Sequence, residues 1–196
     1  MEPKKMPDTS NDLEMIESCQ LGNTEAFSFL VGKYKNMVYQ LALRMSGNYH
    51  DSEDIAQEAF LRAYRSLHHY NPSYSFSSWL YKITLNIIRD RMRKKDLTMH
   101  NPFQGQQDDE SGTSLSNLKD QSAINPETWQ VCRENNRDLQ TAINNLSLQH
   151  REIVVLRHVQ NLSYHEIAGI LNLPMNSVKV RLHRARAQLR EFFEKK

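Results

Sequence analysis

The chain has little of what a secreted, membrane-spanning or catalytic protein needs. Among 196 residues there are two cysteines, Cys19 and Cys132. They stand far apart and neither belongs to a CxxC pair. That argues against a disulfide framework and fits a reducing, cytoplasmic setting. No apolar run approaches the ~18 residues that mark a membrane helix. The opening MEPKKMPDTSND has no apolar core segment, so no secretion signal is expected. No segment alternates with period two, so strands are not expected. No GxSxG, P-loop or HExxH occurs, and the eight histidines do not pair with Cys or acids at metal-ligand spacing. His68 and His69 are adjacent, and neighbouring rings diverge in most backbones. An enzyme is therefore not expected, nor a cofactor, a metal or a small-molecule substrate. The net charge is only +2, so what matters is where the charge sits.

What is present is helical periodicity in two blocks. In the first, Phe27, Leu30, Val31, Tyr34, Val38, Leu41, Ala42 and Met45 recur at threes and fours, the stripe of an amphipathic helix over 23–46. Asn23 can cap its start and Gly47 its end. A weaker segment, 12–21, reads as a short helix leading in. HDSEDIAQEAFLRAYRSL reads as the next helix, with Asp51 as the expected cap and Glu53 and Asp54 in its first turn. HHYNPSYSFSS is a loop marked by Pro72. Helix is expected to resume at about Ser77 with Leu80, Ile83, Ile87 and Ile88 on its buried face.

Residues 96–124 are polar, rich in Gln, Ser and Asp, and acidic. Such a segment cannot bury enough surface to offset its ordering entropy, so it reads as a flexible linker. Order is expected again from Asn125-Pro126, with Trp129, Cys132, Leu139, Ile143 and Leu146 on one face. Ser147 and Ser163 can cap two further helices, and Glu166 completes a capping box with Ser163.

The end of the chain carries the sharpest motif. SYHEIAGILNLPMNSVKVRLHRAR has the punctuation of a helix-turn-helix. Ile167, Ala168 and Leu171 pack the first helix, Asn172 takes the tight turn, and Asn tolerates positive φ. Pro174 stops the first helix, and Asn176 or Ser177 can cap the second. In the second helix Val178, Leu182, Ala185 and Leu189 form one apolar stripe. Lys179, Arg181, His183, Arg184, Arg186 and Arg190 stand between them. Such a helix enters the major groove in this motif. Its cations neutralise phosphates and can read guanine edges.

The first block carries a second chemistry. IIRDRMRKK is strongly basic, and Tyr70, Tyr74, Phe76 and Trp79 precede it. Rings on which bases stack, beside cations that track a backbone, suit single-stranded DNA. The loop could also form a pocket for a flipped base.

These two segments carry a family resemblance. DSEDIAQEAFLRAYRSLHHYNPSYSFSSWLYKITLNIIRDRMRKK resembles region 2 of a bacterial RNA polymerase sigma factor. LSLQHREIVVLRHVQNLSYHEIAGILNLPMNSVKVRLHRARAQLR resembles region 4. A short linker with no region 3 is the layout of the extracytoplasmic-function (group IV) sigma factors of the sigma-70 family. The resemblance implies an all-α fold of two small helical domains. A tail and lead-in at 1–22 would precede region 2 at 23–95, the linker at 96–124 and region 4 at 125–196.

The resemblance also implies roles. Asp54, Gln57, Glu58 and Arg62 would face core RNA polymerase. His69, Tyr70, Tyr74, Ser75, Phe76 and Trp79 would meet the melted minus-ten element, with Asn86, Arg89, Arg91 and Arg93 along the strand and its upstream duplex. Ser177, Lys179, Val180, Arg181, His183, Arg184 and Arg186 would meet the minus-thirty-five element, with Tyr164 and His165 as backbone contacts. Many members have Gly-Thr-Val where this chain has Asn176-Ser177-Val178. Many also have a small polar residue at the Val180 position, and Val can touch a thymine methyl but cannot donate to a base edge. The partners implied are core RNA polymerase, promoter DNA and an anti-sigma factor.

The implied activity is promoter recognition, DNA melting and transcription initiation. The competing reading is an autonomous helix-turn-helix regulator with a helical N-terminal interaction domain. A requirement for core polymerase in specific binding separates the two. The linker length suits the first reading. A disordered linker of this length spans ~30 Å, close to the ~34 Å turn of B-DNA.

Overall fold

A computed structural model describes residues 9–99 and 136–195. Every regular element among these described residues is helical. In the N-terminal block α1 is Thr9–Gln20, α2 Thr24–Ser46 and α3 Tyr49–Arg65. A 3₁₀ turn at Leu67–His69 follows, then a loop and α4, Phe76–Met99. In the C-terminal block α5 covers residues 136–144. Next come α6 at Leu148–Val154, which runs on as a π-helical turn at Val155–Val159, then α7 at Tyr164–Leu171 and α8 at Met175–Glu194.

The caps explain most boundaries. The Asn23 side chain accepts from the Glu25 N–H, and Gly47 closes α2 in the left-handed region, as the sequence predicts. Ser163 and Glu166 form the expected capping box, and Asn172 takes the left-handed turn at φ 54°. Three expected caps are corrected. Asn48, not Asp51, caps α3, because its extended backbone lets Oδ1 accept from the Asp51 N–H at 3.2 Å. This adds a polar first turn that hydrophobic periodicity cannot reveal. Neither Asn176 nor Ser177 caps α8. The helix begins at Met175 behind Pro174, whose ring fixes φ near the helical value and has no N–H to satisfy. Ser147 precedes α6 without a capping hydrogen bond from its side chain.

Helix α4 starts at Phe76 rather than Ser77 and continues through Met99, four residues into the stretch read as linker. The rest of that linker lies outside the described residues, as do the expected helix start at Asn125-Pro126 and the packing of Trp129 and Cys132.

The N-terminal core is the α2 stripe, Leu30, Val38, Leu41 and Met45, all at 0% exposure. Helix α3 meets it through small residues. Ser52, Ala59 and Ala63 are fully buried, and their short side chains let the two axes approach closely. Phe76, Leu80, Leu85, Ile87 and Ile88 of α4 complete that core. The C-terminal core gathers Ile153, Leu156, Ile167, Val178, Leu182 and Ala185.

These two cores join into one buried cluster, and polar bonds seal the seam. Arg89 of α4 grips Glu152 of α6 with both ends, Nε–Oε1 at 2.5 Å and Nη2–Oε2 at 2.9 Å. Arg151 donates to the Met45 carbonyl oxygen at 2.8 Å. Arg44 and Gln140 exchange hydrogen bonds, each at 3.2 Å. The π turn ends at Gln160, whose side chain accepts from Tyr81 Oη at 2.9 Å and donates to the Met37 carbonyl oxygen at 3.4 Å.

Gly47 lies on this seam with φ at 73°, and a Cβ there would stand 2.8 Å from Asn144 Nδ2. Gly47→Ala therefore adds left-handed strain of ~1–2 kcal/mol and displaces Asn144. The expected result is a loss of about that size in chemical denaturation, with the helical circular dichroism of the folded protein retained.

Candidate nucleic-acid interface

Three surfaces collect the residues singled out in the sequence. The first is the loop between α3 and α4. Its base is aromatic. Phe76 packs on Tyr34, Tyr70 and Trp79 with centroids at 5.3, 5.9 and 5.6 Å, and Tyr70 meets Trp79 at 5.4 Å. Tyr70 Oη donates to the Tyr74 carbonyl oxygen at 2.5 Å, which ties the loop across its width. Tyr74 is 54% exposed, with the Lys82 ammonium 4.9 Å from its ring centroid. His69, Tyr74, Ser75, Trp79 and Lys82 line an open cleft of about 500 Å³. A half-exposed ring beside a cation offers a stacking face and a charge for the adjoining phosphate.

Two of the loop residues need a different role. Phe76 is 1% exposed, because it is the floor on which the other rings rest. It is corrected from a DNA contact to a core residue. Ser75 is committed to the start of α4, where its Oγ accepts from the Ser78 N–H at 3.2 Å and bonds Ser78 Oγ at 2.8 Å. Sequence reasoning misses Lys82. It lies one helical turn beyond Ser78, so helical spacing from the loop could have found it.

The basic end of α4 divides. Asn86 is exposed and lines a shallow second recess with Arg62, Arg65, Ser66 and Ile83. Arg93 is exposed and pairs with Asp90 at 3.0 Å. Arg89 is held by Glu152, and that bond, outweighing burial, raises the guanidinium pKa. Arg91 turns to α3 instead, with Nη2 3.0 Å from Glu58 and Nη1 3.9 Å from Asp54.

The second surface is the outer face of α3. Glu58 is its hub, because Arg62 also reaches it at 2.5 Å. Burial alone would raise the Glu58 carboxyl pKa, but hydrogen bonds from Arg91 and Arg62 outweigh it and hold the group low. The folded-state pKa lies below the unfolded one, so this pairing stabilises the fold above the ordinary carboxylate range and fades as pH falls through the folded value. Glu58→Gln should therefore flatten the stability profile of acid titration below about pH 4.5, read by thermal unfolding at stepped pH. Gln57 points outward and Asp54 is half-buried.

The third surface is α8. Val178, Leu182 and Ala185 are buried at 0, 1 and 0%, which turns the rest of the helix outward. Lys179, His183, Arg184, Arg186 and Arg190 are exposed, Arg181 and Ser177 partly so, and Val180 is 49% exposed. Arg186 lies 3.4 Å from His158 Nε2. Burial first, then the cations Arg186 and Arg157, lowers the His158 pKa and so disfavours its charged form. In α7, Tyr164 receives the Arg157 guanidinium over its ring at 5.0 Å. His165, Glu166, Gly169 and Ile170 form the far wall of the cleft under the aromatic loop. The helix-turn-helix and the aromatic loop thus face each other across one cavity.

No group of three or more His, Cys, Asp or Glu able to hold a metal occurs among the described residues. No described helix is long and apolar enough to cross a membrane.

Residues 30–98 match the family model for sigma-70 region 2 and residues 136–189 that for sigma-70 region 4. The chain is 38% identical over 178 residues to the ECF RNA polymerase sigma factor SigW of Bacillus subtilis, covering 90% of this chain and 93% of that protein. It is 32% identical over 187 residues to the ECF RNA polymerase sigma-E factor of Escherichia coli K12, covering 92% and 93%. In fold it is similar to CnrH, solved in complex with the cytosolic domain of CnrY, at TM-score 0.67 and 24% identity over 96% of this chain and 99% of that one. It is also similar to the sigma factor RpoE of Bartonella quintana, solved with the anti-sigma factor NepR, at TM-score 0.66 and 19% identity over 87% and 98%. The chain belongs to the extracytoplasmic-function group of the sigma-70 family, the RNA polymerase sigma factors that direct promoter-specific transcription initiation.

Proposed function

We propose that the three surfaces divide the work of initiation. The outer face of α3, centred on Asp54, Gln57, Glu58 and Arg62, docks on core RNA polymerase. The loop with His69, Tyr70, Tyr74 and Trp79 captures the melted minus-ten strand, with Lys82 neutralising an adjacent phosphate. The outward face of α8, with Lys179, Val180, His183 and Arg184, reads the minus-thirty-five element. The chain contributes recognition and strand capture, without catalysis of its own, and works in the cytoplasm. The observation that carries this reading is the pairing of an exposed, cation-flanked aromatic loop with an exposed basic helix behind a left-handed Asn turn.

The described arrangement is a closed one. His165 of the helix-turn-helix and Tyr74 of the aromatic loop line the same cleft, so the two elements adjoin. On a promoter they serve elements more than ~34 Å apart, the length of one turn of B-DNA. Promoter engagement therefore requires the seam between α4 and α6 to part. An anti-sigma factor that holds the two domains is the inhibitor proposed for this chain, by likeness to the complexes solved for similar folds.

Run-off transcription from a genomic fragment library, with core polymerase alone and with this protein added, tests the reading. Discrete new start sites only in the presence of the protein are expected. Specific duplex binding by the protein alone, without new start sites, would replace it with an autonomous regulator.

A further inference from the structure

Helix α1 lies outside both family matches, yet it is bonded to the floor and to the base of the aromatic loop. Asp12 is 2% exposed. Its Oδ2 accepts from Tyr34 Oη and its Oδ1 from Lys33 Nζ, both at 2.5 Å. A buried carboxylate is costly unless it is paired, so this cluster fixes α1 on α2. The Tyr34 ring is the surface against which Phe76 packs, and Phe76 carries Tyr70 and Trp79. At the other end of α1, Gln20 Nε2 donates to the Leu67 carbonyl oxygen at 3.0 Å. Leu67 opens the 3₁₀ turn that delivers His69 and Tyr70 into the loop. The helix thus holds the loop at two points, through the rings beneath it and through its first turn.

We propose that Asp12, Tyr34 and Gln20 are positioning residues for strand capture, setting the height and entry angle of the loop that carries Tyr70, Tyr74 and Trp79. None of the three is on the cleft or on the α3 face. Their action is indirect, through Phe76 and the Leu67 turn. Two further features agree. Burial first, and then the nearby Asp12 charge, raises the Tyr70 pKa, so the carboxylate's field reaches the loop. Ile16 of α1 is 2% exposed, which seats the helix by packing independently of the polar tether. This inference rests on the reading of the loop as the minus-ten element's receptor.

The test makes three measurements, with preformed holoenzyme for the two DNA affinities. They are affinity for core polymerase, affinity for a minus-thirty-five duplex, and affinity for a single-stranded oligonucleotide spanning the minus-ten element of a start site mapped by run-off transcription. Gln20→Ala removes a bond at an exposed helix end and leaves the fold intact. Tyr34→Phe keeps the ring and removes its link to Asp12. Each is expected to weaken single-strand binding about three- to tenfold, the worth of one hydrogen bond, with the other two affinities unchanged. Asp12→Asn, which can still accept from Tyr34, should restore most of the loss seen with Asp12→Ala. Equal weakening of all three affinities would make the cluster merely structural and overturn the proposal. So would unchanged single-strand binding in Gln20→Ala and Tyr34→Phe, provided Tyr74→Ala weakens it. If Tyr74→Ala also has no effect, the reading of the loop itself fails, and the proposal fails with it.

Discussion

Replacing Glu152 with alanine is expected to open the molecule. Glu152 is 3% exposed and its carboxylate is bonded at both oxygens to Arg89 across the seam. Breaking a buried pair by removing one partner costs ~3–5 kcal/mol. The Arg89 side chain is 39% exposed and recovers water when released, so ~2 kcal/mol is the expected loss. That is roughly a thirtyfold shift from closed toward open. Two readouts follow. The radius of gyration in small-angle scattering should rise, and the free protein should bind DNA more tightly at low salt, because Arg89 and the cleft are uncovered together. Each domain should keep its own helical content, since both broken bonds cross the seam. An unchanged radius of gyration would show that packing and the Tyr81–Gln160–Met37 chain hold the closed form without the ion pair.

The second large effect is expected in α8. Lys179 and Arg184 are exposed and make no part of the core, so their joint replacement by alanine should leave the fold intact. Removing a cation that neutralises one phosphate lowers the slope of log K against log salt by ~0.9. Removing a side chain that bonds a base edge bidentately costs ~1–3 kcal/mol of discrimination. The double variant should therefore show a ~10²-fold or greater drop in minus-thirty-five-dependent run-off yield. It should keep single-strand binding at the minus-ten element. Salt titration of duplex affinity separates the two contributions, because a purely electrostatic role changes the slope and leaves sequence preference as it was. Equal transcription by the variant and the parent protein would remove α8 from promoter reading.

The parts of the molecule legible in its sequence are the local ones. The α2 stripe, the Asn23 and Gly47 caps, the Ser163–Glu166 capping box and the left-handed Asn172 all follow from interactions within a few residues. The outward charge of α8 follows too, because burying Val178, Leu182 and Ala185 leaves Lys179, His183 and Arg184 nowhere else to point. The corrected caps fail for a local reason of their own. Asn48 competes with Asp51 three residues on, and both are good caps, so periodicity in the apolar residues cannot choose between them.

The site is where sequence reading divides. Tyr74 and Trp79 reach the cleft as their loop and aromatic character suggest. Phe76 shares that character and is buried, since one ring of a cluster must form its floor. Arg89, Arg91 and Arg93 read as one basic stripe, yet the first crosses to α6, the second turns to α3 and only the third stays exposed on its own helix. Glu152 escapes a reading by motif, although a single acid within the apolar run of EIVVL hints at a buried partner. Lys82 escapes it as well, because its role depends on the helical register that places it beside Tyr74.

The sequence by itself determined the helices that carry an apolar stripe, the caps at Asn23, Gly47 and Ser163, the turn of the helix-turn-helix and the sign of charge on its second helix. These are set by backbone propensities, capping and apolar periodicity, which act over one or two turns. Only the tertiary structure decided which arginine meets which acid, which aromatic lies beneath the others, and that α1 holds the loop. Those choices depend on how helices distant in sequence cross, and a side chain's nearest charge is then set by packing rather than by its neighbours along the chain.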